Sequence, residues 1–284
     1  MQVCVGGLNL WYASEGRGIP ILIPSLAGSP FYERSFFLGA RDQLQTVHVE
    51  LRGNRSEVGR ADNLNIAQLS DSLRDFLDAI GLQKIALLGH SGHGFLAMDF
   101  AARYPNRVSH LILAGAAPSF GDDFVAEAAK YWEMLASPER KAIDSENQRC
   151  LATERDKLSA EDAIIRAYVL GAPRLFYDPR FDCTPLWEVC HPSAEIWDRF
   201  WGAGGEWRRF DATKTLPAIK CPTLIVAGIA DFVVPPTLWY RTKDLIRENE
   251  YALLDRSGHN PQFEEDSRFD RIVLEWLGRH SVAS

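Results

Sequence analysis

The sequence predicts an α/β fold with a mostly parallel central sheet flanked by helices and an inserted helical cap. Three observations lead to this prediction. Short apolar runs alternate with segments of helical periodicity, one of these runs passes through a glycine-rich turn straight into a helix, and a long central stretch is helical in pattern without a strong strand. Alternating strands and helices are typical of βαβ units and hence of parallel sheets.

Residues 1–117 contain most of the predicted strands and form the first part of the core domain. The runs that we interpret as strands are residues 2–5, 8–13, 19–23, 46–51, 84–88 and 108–113. Two helices lie between the later strands. One spans residues 65–80 and is stopped by Gly81, and the other spans 94–104 and ends before Pro105.

The alternation is interrupted between residues 118 and 216, which we expect to form the helical cap. Residues 217–284 then complete the core domain. They contain predicted strands at 222–228 and 251–254 and predicted helices at 237–246 and 267–276. The pattern therefore predicts one α/β domain with an insertion near its middle.

Composition and charge exclude several classes of protein. With 46% hydrophobic and 24% charged residues, the 284-residue chain matches an ordinary soluble globular protein. A formal net charge of −7 disfavours nucleic acid as a partner, because phosphate binding requires clustered Lys and Arg. Neither a signal peptide nor an apolar run of membrane-spanning length is visible. We expect a small-molecule substrate and no nucleic-acid or membrane partner, and we leave a homodimer open.

The cysteines favour reduced thiols and a cytoplasmic location over a disulfide framework, because they are scattered and odd in number. They are Cys4, Cys150, Cys183, Cys190 and Cys221. No two of them have the short spacing of a zinc or redox site, and no phosphate-binding loop is visible. We therefore predict neither a metal nor a cofactor.

The strongest functional signal is the passage from strand 84–88 into the sequence GHSGHG, residues 89–94, and on into a helix. So sharp a turn requires small neighbours, and it lifts the Ser91 hydroxyl clear of the sheet, where a base can reach it. The turn also directs the Gly92 N–H, at the N-terminus of the helix, towards a developing oxyanion. Ser91 is therefore the candidate nucleophile.

Two later strand ends supply a candidate acid and a candidate base. Asp231 follows strand 222–228, and His259 follows strand 251–254. A serine hydroxyl needs an imidazole to take its proton, and the imidazole needs a carboxylate to hold its tautomer. Asp255 is a competing acid, but it directly precedes the His259 loop and is better placed to brace that turn. The order Ser91, Asp231, His259 is the order found in hydrolases of this strand–turn–helix type.

These motifs resemble those of the α/β-hydrolase superfamily along nearly the whole chain. The matching segments are GHSGHG, AGIADFVVPP, SGHNPQFEE and the early ELRGNRS. The last is similar to a D-x-R-G-x-G-x-S loop, with Glu50 replacing Asp and Arg55 replacing the second Gly. The resemblance implies the α/β-hydrolase fold with its cap, and it is closest to the proline iminopeptidase-like branch. Related dehalogenases and epoxide hydrolases carry Asp at the position of Ser91, so their chemistries are disfavoured.

The resemblance also implies a second oxyanion donor. In the relatives, the loop after the third strand carries His-Gly and donates a backbone N–H to the oxyanion. Here that loop has the sequence PSLAGS, residues 24–29, so both signature residues are absent. By position the donor would be the Leu26 N–H, which would form the oxyanion hole together with the Gly92 N–H.

The predicted cap is rich in aromatic residues, and five of the eight tryptophans lie there. We expect some of them to form the core of the cap and others to line an apolar or aromatic substrate pocket above Ser91. The pocket candidates are His93, Trp132, Trp187 and Trp201. His93 is also interpreted as a hydrogen-bonded structural histidine rather than a second base. This composition favours an uncharged ester, lactone or amide as substrate.

Two other functions stay open. A proline iminopeptidase-like aminopeptidase needs cap carboxylates for the α-ammonium of its substrate, and Glu133, Glu188 and Glu195 are the candidates. A non-catalytic small-molecule receptor on the same fold would have no need of Ser91, Asp231 and His259 together. Lyase or cofactor-free oxidative chemistry on the same residues also stays open.

Overall fold

The computed structural model describes residues 1–26, 29–52, 56–57 and 64–280, and these residues form an eight-stranded sheet. The strands are β1 (Gln2–Val5), β2 (Leu8–Gly16), β3 (Ile19–Ser25), β4 (Leu44–Glu50), β5 (Ile85–His90), β6 (Val108–Ala114), β7 (Thr223–Gly228) and β8 (Asn249–Leu254). Their spatial order is β1-β2-β4-β3-β5-β6-β7-β8. The β1–β2 and β2–β4 pairs are antiparallel, and all other neighbouring strands are parallel. The mostly parallel sheet predicted from the sequence is confirmed.

The described residues contain twelve α-helices. They are α1 (Ser29–Glu33), α2 (Ile66–Ala79), α3 (His93–Arg103), α4 (Asp122–Leu135), α5 (Pro138–Glu154), α6 (Ala160–Leu170), α7 (Ala172–Leu175), α8 (Thr184–Trp187), α9 (Ala194–Trp201), α10 (Glu206–Arg209), α11 (Pro261–Glu264) and α12 (Asp266–Arg279). Of these, α2 and α3 cover one face of this sheet and α1 and α12 the other. Alternate residues of β5 show the two layers: Leu87 packs in the core that contains α2 and α3, and Leu88 packs in the core that contains α1 and α12. Because both faces are covered, β5 is apolar along nearly its whole length.

The segment between β6 and β7 contains helices α4 to α10 and a β-bridge between Ser119 and Asp211. The buried Arg140 guanidinium holds part of this segment together, because it donates to the carbonyl groups of Pro173, at 2.5 Å, and Phe176, at 2.8 Å. A helical insertion interrupts the core as expected, while its boundaries at residues 118 and 216 stay a prediction. None of the helices in the described ranges is long and apolar enough to cross a membrane.

One predicted element is wrong. Residues 237–246 do not form a helix, but two short 3₁₀ turns, Pro236–Trp239 and Lys243–Leu245. The Trp239 side chain is buried, and its indole N–H donates to the Ala116 carbonyl at 2.6 Å. This tertiary contact outweighs the weak local preference for a longer helix.

Candidate active site

The turn between β5 and α3 places Ser91 in a strained backbone conformation, with a φ of 53°. A non-glycine residue adopts this left-handed conformation at an energetic cost, which tends to be stored at functional sites. The flanking glycines make the turn sterically allowed, because a Cβ on Gly89 would lie 2.7 Å from both Ala97 Cβ and Gly94 Cα. The close approach of helix and strand thus requires glycine at 89 and 94, and position 93 can carry a histidine.

Hydrogen bonds connect the three residues that the sequence singled out. Ser91 Oγ lies 2.9 Å from His259 Nε2, and His259 Nδ1 lies 2.8 Å from Asp231 Oδ2. An ionised carboxylate can only accept, so we place the His259 proton on Nδ1, which leaves Nε2 to accept from the Ser91 hydroxyl. His259 and Asp231 are buried, whereas Ser91 is half-buried. This arrangement can deprotonate Ser91 and stabilise the resulting imidazolium.

Asp231 is fixed by its position immediately after β7. Its second oxygen, Oδ1, accepts hydrogen bonds from the backbone N–H groups of Val233 at 3.0 Å and Val234 at 2.7 Å. The competing acid, Asp255, is exposed and forms an ion pair with Arg268, which lowers the pKa of the Asp255 carboxyl. Asp255 therefore lies outside the hydrogen-bonded set.

The loop that carries His259 is held by Glu264, a residue to which the sequence reasoning assigned no role. Glu264 Oε2 accepts from the Gly258 N–H at 2.7 Å, and Oε1 accepts from the Tyr177 N–H of the insertion at 2.5 Å. Burial raises the pKa of Glu264 to about 7, against the opposing effect of these hydrogen bonds. The motif SGHNPQFEE contains this residue, but only the fold shows which N–H groups it binds.

The side chain of His93 is hydrogen-bonded to the backbone N–H that was expected to face the oxyanion. The Leu26 N–H donates to His93 Nε2 at 3.0 Å, and both residues are buried. This differs from the sequence prediction, in which the Leu26 N–H points to the reacting carbonyl. The reason is that position 93 carries a side chain long enough to reach the loop after β3. Ala27 and Gly28 of that loop, and Arg55 of the ELRGNRS segment, lie outside the described residues.

A directional chain of hydrogen bonds continues from His93 to the backbone carbonyl of His259. Because His93 Nε2 accepts, its Nδ1–H donates to the Tyr32 hydroxyl at 2.8 Å, and that hydroxyl donates to His90 Nδ1 at 3.2 Å. His90 Nε2–H then donates to the carbonyl of His259 at 2.9 Å. Burial lowers the pKa of His93 to about 3 and the pKa of His90 well below its usual value. Both histidines are therefore neutral and structural.

Two small cavities meet at Ser91 and His259, with volumes of about 40 Å³ and about 90 Å³. The side chains of Tyr168, Leu175 and Trp201 line both. The Phe, Tyr and Trp residues that line only one of them are Phe31, Tyr32, Trp187 and Trp197 in the first and Phe95, Phe120, Phe124 and Trp207 in the second. Among the described residues, no Asp, Glu, Lys or Arg lines either cavity.

The structure brings most of the predicted pocket residues to these cavities. His93, Trp187 and Trp201 line the first cavity. Trp132 does not line either one. It packs edge-on against Phe232, with ring centroids 5.1 Å apart, and the Arg174 guanidinium lies 4.2 Å from its ring centroid. Trp132 thus joins α4 to the segment after β7, and the structure does not support it as a pocket residue.

Within the described ranges, no three His, Cys, Asp or Glu side chains converge in a way that could hold an ion.

The fold, the strained turn and the order of the hydrogen-bonded residues together define a class of protein. The family model described as alpha/beta hydrolase fold matches residues 21–266, and the chain belongs to this family. It is 29% identical over 277 residues to the AB hydrolase superfamily protein YclE of Bacillus subtilis (strain 168), a match that covers 95% of this chain and 96% of the relative.

Other relatives have more specific names. A proline iminopeptidase of Heyndrickxia coagulans is 23% identical over 282 residues, covering 94% of this chain and 93% of that protein. The structure of a thermophilic esterase from Thermogutta terrifontis, which is 23% identical, superposes with a TM-score of 0.73 over 99% of this chain and all 100% of the esterase. The resemblance to hydrolases, including the iminopeptidase branch, is confirmed.

Proposed function

We propose that this protein is a serine hydrolase that cleaves a carboxylic ester, lactone or amide of a small apolar or aromatic substrate through an acyl-enzyme on Ser91. The observation that carries the proposal is the hydrogen-bonded series from Ser91 through His259 to Asp231, at the meeting point of two aromatic cavities. The esterase among the structural relatives is consistent with this reaction class.

The proposed reaction has two halves. Ser91 Oγ forms a bond to the substrate carbonyl carbon, its proton passes to His259 Nε2, and the carbonyl π electrons move to the oxygen, which becomes an oxyanion. When the oxyanion collapses, the bond to the leaving group breaks and the leaving atom takes the proton from His259. Water then repeats the sequence on the acyl-enzyme, with His259 as base, and releases the acid and the Ser91 hydroxyl.

The Gly92 N–H is the first proposed donor to the oxyanion. Gly92 directly precedes α3, and in the described part of the chain no group accepts a hydrogen bond from its N–H. A free N–H at a helix N-terminus favours negative charge, because the helix dipole adds to the local donor. Its position next to Ser91 suits it to a carbonyl bound at Ser91 Oγ.

The walls of the cavities support an uncharged substrate. A charged group transferred from water to an aromatic cavity loses its hydration, and this loss is costly unless an opposite charge compensates. The described lining offers no such charge. An apolar or aromatic acyl or leaving group would instead be stabilised by burial against Trp187, Trp197 and Trp201.

The iminopeptidase alternative is favoured by the names of several relatives but has no support in the lining of the site. An α-ammonium group requires a nearby carboxylate, and the candidates Glu133, Glu188 and Glu195 are all exposed. Glu133 is also paired with Lys141 at 2.8 Å. We therefore expect a proline anilide to be turned over far more slowly than short acyl esters. Comparable rates on both substrates would favour the iminopeptidase alternative.

A fluorophosphonate probe tests the proposed nucleophile. The native protein should react stoichiometrically, peptide mapping should place the adduct on Ser91, and Ser91→Ala should remain unlabelled while retaining its melting temperature. Labelling at another serine would contradict the proposal. Small-molecule binding that is the same in Ser91→Ala, with no ester turnover by either protein, would identify a receptor instead.

A further inference from the structure

The indole nitrogens of Trp201 and Trp207 converge on the turn that carries the proposed nucleophile. If Gly92 carried a Cβ atom, it would lie 2.8 Å from Trp207 Nε1 and 3.3 Å from Trp201 Nε1. The two rings are nearly perpendicular, at 89°, with centroids 5.7 Å apart. Gly92 thus leaves the space that lets a cap tryptophan reach the backbone beside Ser91.

Trp207 carries a donor that none of the described residues uses. The residue is 1% exposed, and its Nε1 is buried without a hydrogen-bond partner among the described residues. A buried N–H without an acceptor costs free energy, and native proteins rarely retain one unless a ligand or water supplies the acceptor. Trp207 lines the second cavity together with Ser91, Gly92 and His259, so a substrate bound there could supply it.

The usual second backbone donor is not free to take this role. The Leu26 N–H donates to His93 Nε2 at 3.0 Å. The Tyr32 hydroxyl, 2.8 Å from His93 Nδ1, accepts the Nδ1–H and so holds His93 in the tautomer whose Nε2 is an acceptor. For the Leu26 N–H to bind an oxyanion, the buried His93 ring would have to leave and lose both hydrogen bonds. The Gly92 N–H alone would then face the developing charge in a cavity whose described lining has no cation.

We propose that the Trp207 indole N–H is the second donor to the oxyanion of the Ser91 adduct and takes the place of the Leu26 N–H. This inference rests on the proposed function, because it concerns the oxyanion formed when Ser91 Oγ adds to the substrate carbonyl. It makes a side chain of the helical insertion a catalytic residue. A hydrogen bond that forms only as charge develops on the carbonyl oxygen raises kcat, and not merely the affinity for substrate.

The first test removes the N–H and keeps an aromatic ring. Trp207→Phe should lower kcat/KM for a p-nitrophenyl ester by about 100-fold or more, mainly through kcat. It should weaken inhibition by an aryl boronic acid, which forms a tetrahedral adduct with Ser91, by a similar factor. The matched control is Trp11→Phe, since Trp11 lies on β2 and lines neither cavity. A Trp207→Phe variant within threefold of the wild type on both measures would overturn the proposal.

The second test does not depend on whether Trp207→Phe folds. A crystal structure of the wild-type protein with the boronic acid bound to Ser91 should show one boronate oxygen about 2.7–3.1 Å from both Trp207 Nε1 and Gly92 N. If that oxygen is bound by the Leu26 N–H instead, with His93 displaced, the inference about Trp207 is wrong and the proposed hydrolase stands. If no bond forms between Ser91 and boron, the proposed nucleophile itself fails, and the inference fails with it.

Discussion

The three residues of the proposed triad are each held in one hydrogen-bonding state by their neighbours. Asp231 uses one oxygen for His259 and the other for two backbone N–H groups, so its carboxylate cannot rotate without breaking three contacts. His90 in turn donates to the His259 carbonyl and fixes the backbone that carries the His259 ring. The reactive geometry is therefore built into the folded chain before any substrate binds, as preorganised catalysis requires.

Asp231→Asn should lower kcat by about 10⁴-fold while the fold is retained. The amide would donate towards His259 Nδ1, favour the tautomer with its proton on Nε2, and leave no acceptor for the Ser91 hydroxyl. Steady-state kinetics with a short acyl ester measures the loss. Asp255→Asn is the matched control and should keep wild-type kcat, because Asp255 is exposed and bound to Arg268. Equal losses of kcat in the two variants would contradict the proposed role of Asp231.

At the scale of elements, the site depends on contacts between segments far apart in the chain. Glu264 of α11 joins the His259 loop to Tyr177 in the helical insertion. The His259 N–H also donates to the Leu175 carbonyl, at the end of α7, at 2.7 Å. The insertion therefore both covers the cavities and positions the loop that carries His259.

Glu264→Gln should change how stability depends on pH. Burial raises the pKa of Glu264 to about 7, above its usual 4.5. Between these values the folded state holds more protons than the unfolded state, so the stability that this group contributes is lost as pH rises towards 7. Glutamine does not titrate. The melting temperature of the wild type, relative to that of Glu264→Gln, should therefore fall between pH 5 and pH 7.5, and parallel curves for the two proteins would contradict this account.

At the scale of the whole molecule, the sequence was sufficient for the features that depend on local pattern. Ser91, Asp231 and His259 each follow an apolar strand, and parallel strands bring their carboxyl ends to one edge of a sheet. The contacts of Trp207 with Gly92 and of His93 with Leu26 could not be predicted, because they join segments with no shared local pattern. Trp132 shows the same limit. The aromatic composition of the cap suggested that Trp132 lines the pocket, but in the folded protein its ring packs against Phe232 and Arg174.

Thiol accessibility tests the global packing. Cys183, Cys190 and Cys221 are buried thiols, Cys4 is exposed and Cys150 is half-buried. Burial also raises the pKa of Cys183 and of Cys221 to about 12, which suppresses their reactive thiolates. Iodoacetamide should therefore add to Cys4 and Cys150 in the native protein and to all five thiols after denaturation. Intact-mass spectrometry counts the modified thiols in the native and in the denatured protein. Rapid modification of the three buried thiols in the native protein would contradict the fold.

The central claim is that Ser91 carries the acyl group during turnover. Mixing the protein with a short p-nitrophenyl ester, quenching with acid within milliseconds and measuring intact mass tests it directly. We predict a mass increase equal to one acyl group, located on Ser91 by peptide mapping and absent from Ser91→Ala. Turnover of the ester by Ser91→Ala at the wild-type rate, or an acyl group on a different residue, would contradict the account.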